Sequence, residues 1–163
     1  MFKKKLEYIF IATTLLAILV LLFNFYTSYS FKNNPLPKSD IQKIEHQEEL
    51  ILQNMQKNFG YHYKFPLIIT DKIPGRLYGL TSYENGHITI YLNKKVMRES
   101  MDYMLSNVIA HEYAHALMFK LGLFSKEDGH SKRWQETCQK LGANECRQYV
   151  NQNEIIMSKM PFK

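Results

Sequence analysis

The chain has 163 residues, of which 45% are hydrophobic and 22% are charged. This length fits one ordinary domain and excludes two independently folded catalytic domains, and the composition is globular rather than disordered. The formal net charge is +6, but Lys3–Lys5 carry part of it, and the residues from 31 onward hold 18 basic and 14 acidic side chains. Such a small excess gives little support to a nucleic-acid partner.

The first predicted element is an apolar helix near the N-terminus. Residues 8–23 read YIFIATTLLAILVLLF, and residues 24–26 extend this uncharged stretch to 19 residues. That is close to the roughly 20 residues that span a bilayer, so we expect contact with a membrane through residues 8–26. A cleaved signal peptide, whose apolar region usually covers about 7 to 15 residues, is the main alternative, and a buried core helix is the other.

The charges that flank this helix predict its orientation. Lys3–Lys5 precede it, whereas only Lys32 and Lys38 follow it closely. Because basic flanks stay in the cytoplasm, we expect a single-pass membrane protein with a cytoplasmic N-terminus. Residues 31–163 would then be extracytoplasmic, in the periplasm or at the cell surface if the source is bacterial.

Prolines and asparagines without a periodic pattern follow the apolar helix and predict a tether. An amphipathic helix is predicted next, over about residues 40–59, with Ser39 as its N-cap and Gly60 as its stop. Its apolar stripe is interrupted by a polar turn between Ile44 and Ile51. The predicted organisation is a transmembrane segment (1–30), a tether (31–39) and one catalytic domain (40–163).

Three strands are predicted after this helix. The first is residues 63–70, YKFPLIIT, and the other two are the β-rich runs on either side of Asn85-Gly86. Asn-Gly between such runs is the strongest short signal for a hairpin. In the last run apolar residues alternate with polar ones, so one face of the strand is apolar. The apolar set is Ile88, Ile90 and Leu92.

Two further helices are predicted, over residues 99–121 and 131–141, and each is followed by a glycine that supplies the stop. Together with the strands they predict an α+β fold with a small sheet. The second helix and the loop after it carry Cys138 and Cys146. These two residues can form a disulfide in an oxidising compartment or remain buried thiols, and the sequence leaves both alternatives open.

The long helix carries an HExxH motif, formed by His111, Glu112 and His115. Two histidines four residues apart point the same way on a helix, so both imidazoles can bind one Zn²⁺. Glu112 is offset around the helix axis and can act as general base toward a zinc-activated water. The motif is therefore predicted to be the catalytic centre of a zinc-dependent hydrolase.

A catalytic zinc needs a third protein ligand and an open fourth position. The longer HExxHxxGxxH pattern is absent, because Leu121 stands where its last histidine would be. His130 is the predicted third ligand, since it precedes the next helix and is held at the start of it. Glu127 and Asp128 are alternatives, although they are more typical of a helix cap or a hydrogen-bond partner of a bound imidazole.

The sequence HEYAHALMFKLG, followed by GHSKRWQETCQKLGA, resembles the SprT-like zinc metallopeptidases. The resemblance covers roughly residues 60–147 and implies a zincin-like domain. It also implies that His111, His115 and His130 bind zinc, that Glu112 is the general base, and that Trp134 and Leu141 are core residues behind the third ligand. With only two cysteines, the chain has none of the paired CxxC motifs that form a zinc ribbon in several members of the family.

The function predicted from these features is that of a membrane-anchored zinc endopeptidase with a polypeptide substrate, which a sheet edge would bind by strand addition. The alternatives are a membrane-anchored zinc-binding or scaffold protein without proteolytic activity, and a SprT-like protease that acts on DNA-bound proteins. Peptide hydrolysis also requires a donor to the oxyanion. The sequence does not choose among four candidates: Tyr91, Tyr103, Tyr113 and Tyr149.

Overall fold

The computed structural model describes residues 2–74, 77–124 and 129–147. The chain forms two compact units, Met1–Pro37 and Lys38–Lys163. The first unit holds the helix α1 (Phe2–Asn33), and most of its described large apolar side chains are exposed. By length and composition its span Lys3–Asn33 is sufficient to cross a membrane, and an anchor and a signal sequence both meet that criterion.

The helix α1 continues further than the sequence indicated. The backbone N–H of Asn34 donates to the carbonyl of Ser30 at 3.0 Å, which extends the helical pattern into the segment predicted as a tether over residues 31–39. Pro35 and Pro37 follow, and a residue that precedes proline is disfavoured in helical conformation. The next helix begins at Lys38, so the non-helical connection is shorter than predicted.

The second unit is a mixed α+β domain with a three-stranded sheet, as the sequence predicted. Its described residues form α2 (Lys38–Phe59), β1 (Leu67–Thr70), β2 (Gly79–Glu84), β3 (His87–Asn93), α3 (Lys94–Tyr103), a π-helical segment (Met104–Val108), α4 (Ile109–Lys120) and α5 (Lys132–Lys140).

The sheet has the order β1-β3-β2, with β3 parallel to β1 and antiparallel to β2. The predicted hairpin between β2 and β3 is confirmed, and both of its turn residues have positive φ, 51° at Asn85 and 82° at Gly86. Ile88, Ile90 and Leu92 of β3 are buried, which confirms the predicted apolar face. Because β3 is central, β2 forms one edge of the sheet.

The helical region after β3 differs from the single helix predicted over residues 99–121. It begins at Lys94, because the side chain of Asn93 caps it by accepting a hydrogen bond from the backbone N–H of Lys95 at 3.0 Å. Ser100 has non-helical angles, and the π-helical segment interrupts the α-helix immediately before α4. Single π-helical turns occur frequently at functional sites.

The core of the second unit surrounds α4. This helix packs against β2, β3, α2 and α5, and it is buried on most of its circumference. A helix that is apolar all round is typical of a protein interior. The fully buried side chains of α4 and α2 include Ile109, Tyr113, Leu117, Ile51 and Met55.

Of the two alternatives for the cysteines, the structure has the disulfide, with the Cα atoms of Cys138 and Cys146 6.0 Å apart. The loop that it closes also contacts the π-helical segment. Asn144 donates its backbone N–H to the carbonyl of Ser106 at 3.1 Å, and Glu145 donates its backbone N–H to Oδ1 of Asn107 at 2.7 Å. The end of α5 is thereby tied to the residues that lead into α4.

Candidate metal centre

The structure brings the three predicted histidine ligands together. His111 and His115 lie one turn apart on α4, and His130 approaches them from the segment that leads into α5. Their Nε2 atoms are 3.2 Å apart for His111 and His115, 3.2 Å for His115 and His130, and 3.3 Å for His111 and His130. The three imidazoles therefore direct one nitrogen each toward a common point.

Hydrogen bonding among the imidazoles cannot account for all three of these contacts. In a neutral imidazole each nitrogen is either a donor or an acceptor. Among three mutually adjacent nitrogens at least two must be of the same kind, so at least one contact is unfavourable. A cation at the common point removes the conflict, because all three nitrogens then present lone pairs to it.

The spacing of the nitrogens is compatible with a tetrahedral zinc ion. Zinc binds imidazole nitrogen at about 2.0–2.1 Å with tetrahedral angles, which places two ligand nitrogens about 3.3 Å apart. The observed separations of 3.2–3.3 Å agree with this value. The donor set also fits, because three protein ligands with one open position are typical of catalytic rather than structural zinc.

The environment keeps the two histidines of α4 neutral. Burial, assisted by the neighbouring His130, lowers the pKa of His111 to about 4. Burial, assisted by His111 and His130, lowers the pKa of His115 to about 3. Metal binding requires neutral imidazole, so at neutral pH these two ligands are available without loss of a proton.

Trp134 forms an apolar wall behind the three histidines. Its ring centroid lies 4.6 Å from that of His111, 5.0 Å from that of His115 and 4.5 Å from that of His130. The side chain is only 1% exposed, and Nε1 has no hydrogen-bond partner among the described residues. Ser131 caps α5 by accepting a hydrogen bond from the backbone N–H of Trp134, which fixes the start of the helix beside His130.

Glu112 faces β2, and two residues of that strand surround its carboxylate. The Thr81 hydroxyl lies 2.8 Å from Oε2 and 2.9 Å from the backbone carbonyl of Glu112. Gly79 lies so close that a Cβ atom there would stand 2.6 Å from Oε1. Glu112 is 5% exposed, and burial raises its pKa to about 7 against the opposing effect of the Thr81 hydrogen bond.

Neither Gly79 nor Thr81 was predicted from the sequence to be part of the site. A glycine inside a strand often marks a close approach of another group, so the signal at Gly79 was present but unspecific. The contact joins residues 31 positions apart, and it follows from the packing of β2 on α4 rather than from any local pattern.

A buried polar cluster holds α4 against α2. Glu48 is 3% exposed, accepts a hydrogen bond from the Tyr113 hydroxyl and forms an ion pair with Lys64 at 2.7 Å. Burial, followed by the interactions with Glu48, raises the pKa of Tyr113. Glu48 is therefore the one residue of the polar turn in α2 that belongs to the interior, while its neighbours His46 and Glu49 are exposed.

The predicted oxyanion donors lie in different surroundings. The Tyr113 hydroxyl is engaged by Glu48, Tyr103 packs edge-on against Tyr78 at 5.7 Å, and Tyr91 lies on the central strand. Tyr149, together with the alternative ligands Glu127 and Asp128, falls outside the described residues.

Comparison with protein families places the site in a known context. A family model described as the SprT-like family matches residues 42–157, which include the three histidines, Glu112 and both residues of β2 that contact it. The searches of curated proteins and of solved structures found no match.

Proposed function

The chain belongs to the SprT-like family, and from this premise we propose that it is a zinc-dependent endopeptidase anchored to a membrane. The observation that carries the proposal is the convergence of three imidazole nitrogens at the spacing of zinc ligands, two of them on the helix that also carries Glu112. His111, His115 and His130 would hold the metal. Zinc bound in this way would act as a Lewis acid and would lower the pKa of a coordinated water to about 7.

Glu112 is proposed to move the proton during hydrolysis. It accepts a proton from the water that attacks the scissile carbonyl, and it returns that proton to the leaving amine. A general base is most effective when its pKa is near the working pH. Two observations support this role: Glu112 lies next to His111 on α4, and the Thr81 hydroxyl of β2 hydrogen-bonds its carboxylate.

The outer edge of β2 is proposed to bind the polypeptide substrate as an added strand. Asn93 donates its backbone N–H to the carbonyl of Tyr78 at 2.9 Å, so the pair of residues 78 and 93 is hydrogen-bonded. Because such pairs alternate along an antiparallel ladder, the backbone groups of Gly79, Thr81 and Tyr83 point away from β3. An extended peptide can pair with these groups and lie alongside the strand that contacts Glu112.

The location is proposed to be extracytoplasmic, with α1 as an uncleaved anchor and the catalytic domain beyond it. The basic residues before α1 support a cytoplasmic N-terminus. The Cys138–Cys146 disulfide supports an oxidising compartment for the catalytic domain, because disulfides persist there and are rare in the cytosol.

Replacement of Glu112 by glutamine tests the proposed activity. The change removes the base but leaves all three histidines, so we expect unchanged zinc content and a loss of at least about 100-fold in kcat on casein or a peptide library. The matched control is Glu49→Gln, which makes the same change at an exposed position of α2 and should leave both quantities unaltered. Retained proteolysis in Glu112→Gln would refute the mechanism. If the wild type bound zinc but cleaved no substrate, a zinc-binding scaffold would be favoured instead.

A further inference from the structure

We propose that Thr81 is a positioning residue that, with Gly79, holds the carboxylate of Glu112 in its productive orientation. The proposal rests on the endopeptidase function and adds to it the part of the chain that orients the general base. Both residues lie on β2, whereas Glu112 lies on α4, so the orientation depends on the packing of the edge strand against the helix.

The hydrogen bonds of Thr81 restrict the rotamer of Glu112. The hydroxyl lies 2.8 Å from Oε2 and 2.9 Å from the carbonyl oxygen of the same residue. It therefore connects the end of the side chain to its own backbone, a connection that few combinations of the side-chain torsions permit. A threonine hydroxyl has one proton and can share it between two acceptors that lie this close together.

Gly79 provides the space that this rotamer occupies. A Cβ atom at position 79 would stand 2.6 Å from Oε1 and 2.8 Å from Cγ of Glu112. Its φ is not in the left-handed region, so the backbone itself would accept alanine. The requirement for glycine is thus steric, and it comes from the carboxylate of Glu112.

These contacts are expected to affect the rate of the reaction rather than substrate binding. A side chain that rotates about χ1 moves its carboxylate by several ångströms, and a misplacement of about 1 Å can cost about 100-fold in rate. Loss of an interaction that acts only on the reacting groups lowers kcat and leaves KM unchanged. A merely structural role of Thr81 would instead lower the amount of folded, zinc-loaded protein and leave kcat per folded molecule unaltered.

The experiment compares Thr81→Val with Thr81→Ser in the full-length protein. Valine keeps the shape of threonine and removes the hydroxyl, whereas serine keeps the hydroxyl. We expect Thr81→Val to lower kcat about 10- to 100-fold at unchanged KM and zinc content, and Thr81→Ser to retain most of the activity. The matched control is Thr89→Val on β3. Thr89 pairs with Ser82, the neighbour of Thr81, so its side chain lies on the face of the sheet opposite to that of Thr81.

Two results would overturn the proposal. One is a kcat for Thr81→Val that equals the wild-type value, and the other is an equal loss in Thr81→Val and Thr81→Ser. Crystal structures of the wild type and Thr81→Val provide a second readout that needs no activity. They should show the carboxylate displaced by more than about 1 Å in the variant, and an unchanged carboxylate would contradict the inference. A wild type that binds zinc and cleaves nothing refutes the endopeptidase function alone, and these structures then decide the role of Thr81.

Discussion

The three imidazoles of the candidate metal centre are held by different means. His111 and His115 share one buried helix, so their relative position follows from helix geometry. His130 comes from a separate segment, and its position depends on the Ser131 cap and on the packing of Trp134 against all three rings. Among the three proposed ligands, His130 is thus the one whose position depends on tertiary packing rather than on a single helix.

Replacement of His130 by alanine should abolish tight zinc binding, because two of the proposed protein ligands remain where a catalytic zinc site needs three. Removal of a residue that only hydrogen-bonds to a metal ligand lowers metal affinity by roughly 10- to 100-fold. Because His130 is proposed to bind the metal directly, we expect a larger loss of zinc affinity in His130→Ala. Metal analysis gives the stoichiometry. Trp134, the single tryptophan of the chain, provides a fluorescence signal beside the imidazoles. The control is His46→Ala, which makes the same change at an exposed position of α2. If His46→Ala and His130→Ala bound equal amounts of zinc, His130 would not be the third ligand.

The sequence was sufficient to locate the histidines but not the residues that orient Glu112. The spacing of His111 and His115 is a local property of a helix, and the SprT-like resemblance included His130. The contacts of Thr81 with Glu112, and of Glu48 with Tyr113, join distant positions through tertiary packing. Such contacts leave no periodic signal in the sequence. Nothing in the local sequence therefore distinguishes Thr81 from other strand threonines, or Glu48 from other helix glutamates.

At the scale of secondary structure, β2 has two roles in the proposed mechanism. The side chain of Thr81 faces α4, while the outward backbone groups of Gly79, Thr81 and Tyr83 lie at an edge that no other described strand covers. The hairpin that creates this edge was predictable from Asn85-Gly86, since few residues other than Asn and Gly accept positive φ in both turn positions. The interruption at Ser100 and the π-helical segment were not predictable, because the sequence there remains compatible with a continuous α-helix.

Replacement of Tyr83 by proline tests strand addition at this edge. Tyr83 stacks on Phe119 at 5.3 Å, so the matched control is Tyr83→Ala, which also removes the ring but retains the backbone N–H. Proline is tolerated on an edge strand where the N–H faces solvent. We expect KM for a peptide substrate to be about 5-fold higher in Tyr83→Pro than in Tyr83→Ala, the effect of one lost hydrogen bond. Equal KM values in the two variants would exclude pairing of the substrate with this group.

At the scale of the whole molecule, the chain combines an exposed apolar helix with a disulfide-containing α+β domain. Each feature alone is compatible with several locations in the cell. Together with the basic residues before α1 they favour an anchored domain outside the cytoplasm. The helix itself was predictable from composition, whereas the disulfide depended on the fold, which brings Cys146 back beside α5.

Topology reporters fused to the C-terminus in a bacterial host test this arrangement. We expect an alkaline phosphatase fusion to be active and a β-galactosidase fusion to be inactive, because the first enzyme requires the oxidising side of the membrane. The fusion protein should remain in the membrane fraction after alkaline washing. The reverse pattern of reporter activity would place the catalytic domain in the cytoplasm, and release into the soluble fraction would indicate a cleaved signal.

The π-helical segment holds about one residue more than an α-helical turn, because its hydrogen bonds join residues five rather than four positions apart. One residue in an α-helix corresponds to a rotation of about 100° around the axis. One extra residue in a regular α-helix would therefore turn His111 and His115 away from His130 by that angle, whereas the wider π-helical turn takes up the extra residue and leaves the phase of α4 nearly unchanged. This short segment therefore absorbs one residue without moving the candidate metal ligands, even though none of its side chains belongs to the proposed reaction.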